Sequence, residues 1–378
     1  MRRQRRAIGN FGEHGLVSVR NSVSLTARRW RPRAGDWVVV RSAEEILATL
    51  DERGCVDALP FMPEMLTFCG RRMRVAAVAH KTCDTKCKTG GRSVADCVHL
   101  EDARCDGAAH DGCQAQCNLF WKTAWLRRAD APPNPVERPG SGRCDAAALN
   151  EATRVAGSGG RRYSCQATQI TEASTLLPWW DVRQFARDVS SGNASVGMVL
   201  RVVILSWFAA WRRYAYPYRL SRWAYAKAHG LLMPGREVPY PPDDIACPEK
   251  SPEGVLGLRV GERVRVKPHR AIRATLSRTT GRNRGLWFDV EMVPYCGQEF
   301  RVAQRVEKII NEQTGEMMPM KGPCIILDGV VCRADYSDCR LLCPRAIPSY
   351  WREIWLERVE QPAEPAQAGA AGDGKPSP

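Results

Sequence analysis

The chain is 378 residues long, enough for two or three domains with cores of their own, and its 44% hydrophobic content is ordinary for a globular protein. Its formal net charge is +15, about half of it in the first 33 residues, an arm of a kind that suits phosphate or an anionic bilayer surface. No P-loop, dinucleotide fingerprint, Gx-Ser-xG elbow or HExxH occurs, so the common enzyme classes lack support.

In chain order, residues 1–33 come first, with nine arginines against the single acid Glu13. They read as a disordered, solubilising basic arm. Residues 7–33 lack the apolar run of a secretory signal, so the expected location is the cytoplasm. There, sixteen cysteines are poor candidates for structural disulfides and good ones for metal binding. In an exported protein disulfides would explain the same count.

Residues 34–130 form a first segment, whose runs Trp37–Val40 and Met73–Val78 alternate as short strands. "EEILATL" between them reads as a short helical turn or a bent strand. "FWKTAWLRR" reads as a closing helix, with Trp121 and Trp125 at i and i+4 on one face. Residues 131–161 read as a Pro/Gly/Arg linker. A helical insert with a Pro-rich linker follows, 162–256. Its first helix is "WWDVRQFARDV", whose Asp181, Arg183, Arg187 and Asp188 are weak candidates to line a site and are expected rather as i,i+4 ion pairs on a solvated face. Its second runs from about Ser195 to Arg213. The apolar run of that helix, about fifteen residues, falls short of the ~20 needed to span a bilayer. It reads either as a core helix or, with the Arg/Tyr/Trp-rich stretch beyond it, as a peripheral membrane contact through 195–228. Residues 257–360 form a last segment, and 361–378 a disordered tail.

The first and last segments are one sequence written twice. "GDWVVVRSAEEILATLDERG" from Gly35 is answered by "GERVRVKPHRAIRATLSRTTG" from Gly261, 226 residues later. "FMPEMLTFCGRRMRV" is answered by "FDVEMVPYCGQEFRV", and "FWKTAWLRR" by "YWREIWLER". Glu64 and Glu291, present in both, read as structural acceptors. What both segments keep is scaffold, and what one alone has is where function is sought. The expected fold is mainly β with α: two tandem SH3-like small barrels, each with a Cys-rich metal-binding subdomain, separated by the helical insert.

Cys105-x7-Cys113-x3-Cys117 matches Cys332-x6-Cys339-x3-Cys343, each below a Cys-Gly pair at Cys69 and Cys296. Two thiolate pairs on tight turns suit a tetrahedral zinc shell, one structural Zn²⁺ per segment, and an iron–sulfur cluster shares the same chemistry. Cys97 and Cys324 rival Cys69 and Cys296 as the fourth ligand. Buried, reduced cysteines acting as small hydrophobes are the plain alternative. The first segment alone adds His80, Cys83, Cys87, His99 and His110, where the last has Glu307, Ile326 and Tyr336 opposite the histidines. His80, Cys83, His99 and His110 are therefore the candidate catalytic residues. They fit an additional Zn²⁺ or Fe with open coordination, a Cys83 thiolate activated by its neighbours, or an enlarged structural site.

On "EEILATLDERG", "HKTCDT", "RCDG…GCQAQC", "EMVPYCG", "LCPRA" and "YWREIWLERV", the chain resembles a family of uncharacterised, duplicated, cysteine-rich proteins encoded in bacterial exopolysaccharide and secondary-metabolite biosynthetic clusters. The resemblance covers roughly 200 residues of the two segments and the "WWDVRQFARD" helix. It implies a biosynthetic setting without a reaction, with pathway proteins or a small-molecule intermediate as partners. It matches His80, Cys83, His99, Cys105, His110, Cys113 and Cys117 and not Cys87 or Cys97, which favours Cys69 as a ligand. Three functions follow as expectations: a cytoplasmic metalloprotein of such a pathway with a His/Cys site in the first segment, a non-catalytic adaptor at the inner membrane, and, ranked last, a zinc-stabilised nucleic-acid-binding protein.

Overall fold

The computed structural model describes residues 30–130, 144–156, 159, 162–214, 218–240, 245–337 and 339–359. The basic arm up to residue 29, the linker from 131 to 143 and the tail from 360 lie outside the described residues, so the disorder expected of them is not addressed.

The protein is mainly β with α. In the first module, strands β1 (Trp37–Val40), β2 (Arg72–Val78), β3 (Cys97–Leu100), β4 (Trp121–Lys122) and β5 (Leu126–Arg128) form one sheet in the order β4-β3-β2-β1-β5. In the second, β6 (Arg263–Val266), β7 (Glu299–Arg305), β8 (Cys324–Val331), β9 (Pro348–Arg352) and β10 (Leu356–Arg358) take the order β9-β8-β7-β6-β10. All pairings are antiparallel, and both sheets shift register at the same place, between Val75 and Ala77 and between Val302 and Gln304. The sequence alternation explains the strands: Val38 and Val40, like Val264 and Val266, point into the core, while Trp37, Arg263 and Arg265 face solvent.

The tryptophan pairs do not make helices. Trp121 lies in β4 and Trp125 in a 3-10 turn, Thr123–Trp125, that leads straight into β5. The second module repeats this at Trp351 and Trp355. A strand followed by one tight turn brings both rings to the same side as effectively as an i,i+4 helix. Phe61 meets Trp121 and Trp125 edge-on at 6.2 and 5.0 Å, and Phe288 meets Trp351 and Trp355 at 6.1 and 5.4 Å. Trp125 Nε1 donates to Thr49 Oγ1 (3.2 Å) and Trp355 Nε1 to Thr275 Oγ1 (2.9 Å). Each threonine follows a short helix, α1 (Ala43–Leu47) in the first module; Ser42 and Glu45 close a capping box there.

The segment read as linker contains helix α2 (Ala146–Ala152), begun by Asp145, whose carboxylate accepts from Ala148 N. Leu149 is buried and approaches Gly54, which ties the helix to the first module. Three helices follow: α3 (Arg183–Ser190), α4 (Val196–Tyr214) and α5 (Tyr218–Leu232). The insert also supplies Ser174–Leu177, an edge strand on Gly91–Val94, which in turn pairs with Lys81–Cys83. Helix α6 (His269–Arg273) repeats α1 in the second module.

Candidate metal centre at Glu64, Cys105 and His110

A six-residue 3-10 helix, Pro63–Phe68, carries Glu64, which is 7% exposed. Pro63 presets the first turn, and Met62 ahead of it is in the core. The opposing wall is the loop after β3. Cys105 N donates to Cys117 O (2.8 Å), pinning the loop at its base. Gly107 (φ 76°) then turns the chain back, with His110 N and Gly112 N both donating to its carbonyl. A Cβ at Gly107 would collide with the Cys113 backbone, so only glycine permits the turn. The short turn Ala108–His110 ends with the imidazole pointing inward, 2% exposed.

Among the described residues, the one group of three or more His, Cys, Asp or Glu ligand atoms within 4.8 Å of one another is Glu64, Cys105 and His110. Cys105 Sγ lies 3.4 Å from His110 Nε2. Both carboxylate oxygens of Glu64 and Nδ1 of His110 are buried without a hydrogen-bond partner. Burial shifts all three toward their uncharged forms: the Glu64 carboxyl and Cys105 thiol upward, the His110 imidazole downward. The carboxylate of Glu64 further raises Cys105. A cavity of about 30 Å³ lies beside the group, lined by Cys105 and His110 but not Glu64, and by Cys113, Cys117, Cys165 and Glu312. That is room for one or two water-sized occupants.

The second module holds the counterpart of Glu64 quite differently. Glu291 is also buried, but Oε1 accepts from Tyr336 N (2.8 Å) and Ser337 Oγ (2.9 Å), and Oε2 from Asp335 N (2.9 Å). Glu291 is thus the structural acceptor expected of both glutamates, and Glu64 is not.

The other sequence candidates lie elsewhere. His80 Nε2 is 2.8 Å from Asp188 Oδ1, and Lys81 Nζ is 2.6 Å from Asp188 Oδ2. Asp188 is fully buried, which corrects its expected place on a solvated face; Asp181 does pair with Arg183, at 2.8 Å. Burial pulls Lys81 down and the Asp188 carboxylate works against it. His99 Nδ1 contacts Leu119 O (2.9 Å), its ring lies 4.5 Å from that of Phe120, and burial lowers it to about 4. Cys83 packs not in its own module but against Cys343, Ala334 and Cys332 of the second. The Cys343 thiol and Arg345 both favour a Cys83 thiolate. Arg345 Nη1 also donates to Thr85 Oγ1 (2.7 Å), fastening the end of the "HKTCDT" segment, just past its strand Lys81–Cys83, to the second module. Cys113 accepts from Ile310 N (3.3 Å), a further cross-module contact.

Of the cysteine quartets, Cys105, Cys113 and Cys117 share the cavity, and Cys69 caps the 3-10 helix outside it. Cys296 caps the equivalent helix, Cys339 is exposed, and Cys332 and Cys343 join Cys83. Sequence reasoning passed over Glu64 as a ligand. The available signal was the spacing: seven residues between Cys105 and Cys113 against six between Cys332 and Cys339. The longer loop carries Gly107 and His110 in place of the Asp335–Ser337 donors.

Compared with known proteins, the chain matches no family model and no curated protein.

Proposed function

We propose that this is a zinc protein whose ion is held by Glu64, Cys105 and His110 of the first module, and that it acts in a bacterial specialised-metabolite or polysaccharide biosynthetic pathway in the cytoplasm. The pathway is supported by the motif resemblance, and the cytoplasm by sixteen free thiols, which a glutathione-poised compartment keeps reduced. We read the two modules as an internal duplication of an SH3-like small barrel. Under that reading one copy kept a glutamate for its fold and the other turned it to ion binding.

One observation carries the metal assignment: the two buried oxygens of Glu64 meet no N–H or O–H donor and have only the Cys105 thiol beside them, while Glu291 accepts from three such donors. An unpartnered buried carboxylate costs several kcal/mol, and a cation beside it removes that cost. Carboxylate, thiolate and imidazole are all within the ligand set of Zn²⁺, and the thiols of Cys113, Cys117 and Cys165 line the adjoining cavity. Zinc held by three protein ligands supplies a Lewis acid and a position for water or substrate.

Elemental analysis of purified protein tests this. About one zinc per chain is expected, lost in Glu64→Ala, Cys105→Ser and His110→Ala and retained in Glu291→Gln. Zinc-reconstituted wild type that holds no metal would leave Glu64 a protonated carboxyl and end the proposal.

A further inference from the structure

Helices α4 and α5 pack on each other and on the second module, and carry a face that no other described element covers. Val202, Leu205 and Ala209 of α4 and Ser221, Tyr225 and His229 of α5 are buried. Val202 and Leu205 pack with Met233, Tyr336 and Leu341, and His229 Nε2 lies 3.1 Å from Tyr336 Oη. At 3.6 residues per turn the opposite face of α4 carries Val196, Leu200, Val203, Ile204 and Trp207, which are 59, 56, 39, 40 and 64% exposed. The outer face of α5 carries Leu220, Trp223 and Leu231, at 50, 58 and 81%. Contiguous apolar exposure on this scale marks a surface that meets another phase or partner.

Charge identifies the occupant. From Val189 to Arg236, 48 residues, there is no aspartate or glutamate, in a chain with 41 of them. The same stretch holds seven lysines and arginines, of which Arg201, Arg219 and Lys227 are exposed. A nucleic acid would engage the cations and offer Val196, Leu200 and Ile204 nothing apolar. An anionic lipid surface accommodates both: aliphatic side chains enter the acyl boundary, tryptophans sit at headgroup level and cations meet lipid phosphates. No helix among the described residues is long and apolar enough to cross a membrane.

The geometry points to the α4–α5 hairpin as a monotopic membrane contact, lying in the plane of an anionic bilayer with Leu200, Ile204, Trp207 and Trp223 inserted.

The test uses the full chain and varies salt, because nine arginines in residues 1–33 would by themselves attract anionic vesicles electrostatically. Co-sedimentation with phosphatidylglycerol-containing and pure phosphatidylcholine vesicles is measured at low and high salt. Wild type is expected to favour the anionic vesicles and to keep measurable binding at high salt, where purely electrostatic attachment is screened. Trp207→Ala/Trp223→Ala and Leu200→Ser/Ile204→Ser, changes at exposed positions whose folding is checked by far-UV circular dichroism and urea unfolding, should each weaken the salt-resistant binding about tenfold. Arg201→Glu/Arg219→Glu should weaken the anionic preference at low salt. Binding that vanishes in salt and is indifferent to the apolar variants would assign attachment to the arm and overturn the proposal. So would vesicle-independent dimerisation abolished by those variants, or RNA binding in place of lipid binding.

Discussion

Glu64 and Glu291 stand at the same position of equivalent 3-10 helices, in two modules whose sheets share strand order, register shift and a pair of buried tryptophans. One is held by three donors from a loop, and the other faces a thiol and an imidazole. The difference lies in the loop after β3 or β8. In the second module residues 335–337 turn two amides and a hydroxyl onto the carboxylate. In the first, the turn at Gly107 places a side chain, His110, where those donors would be. Under the proposed metal assignment, a scaffold position becomes a ligand position when its satisfying groups are removed, without any change in the residue itself.

The sharpest way to break this contrast is Glu291→Ala, which strands two amides and a hydroxyl. It should destabilise the protein by about 4 kcal/mol in urea unfolding, with or without zinc. A loss below about 1 kcal/mol would mean that the three hydrogen bonds do not hold the module together. Glu64→Ala should behave conversely. In metal-free protein it should be neutral or slightly stabilising. In excess zinc it should forfeit roughly 3 kcal/mol, the linkage expected when free metal is near a hundred times its dissociation constant. Equal effects in both states would remove the metal from the comparison.

Acid–base behaviour adds a third distinction. Burial raises Glu291 from 4.5 to about 7, outweighing the donors that lower it. A carboxyl that holds its proton more tightly folded than unfolded favours folding most at low pH. Its contribution is therefore lost as pH rises from about 4.5 through 7. Buried His99, lowered from 6.5 to about 4, acts in the opposite sense: its penalty enters as pH falls below 6.5. Glu291→Gln should flatten the upper part of the stability–pH profile and leave the His99 limb in place. A variant profile parallel to wild type throughout would show that Glu291 binds its proton equally in the folded and unfolded chain, against the upward shift that burial imposes. The smallest effect is where the modules agree. Thr49→Val and Thr275→Val each remove the partner of a buried indole N–H and should each cost about 1 kcal/mol, to a similar degree in each module.

The strands and the recurrence of Trp121/Trp125 at Trp351/Trp355 were legible in the chain, because alternation and repetition are local signals. Their helical reading failed because i,i+4 spacing does not distinguish a helix from a strand plus one 3-10 turn. Of the candidate site, Cys105 and His110 were legible as residues that recur or fail to recur in register. Glu64 was not, since its meaning rests on which loop atoms reach it. Asp188 looked like a surface acid because helix periodicity alone does not show that Lys81 and His80, over a hundred residues away, close on it.

What the sequence determined by itself is therefore the two β modules, the amphipathic insert and the list of unusual cysteines and histidines. These follow from nearest-neighbour geometry, where side-chain direction is set by the residue's place in the strand or helix. Only tertiary structure decided that Cys83 belongs with Cys343, that Asp188 is buried and that Glu64 lacks donors. Those outcomes depend on hydrogen bonds and packing between groups far apart in the chain, supplied by loops whose conformations carry no periodic code.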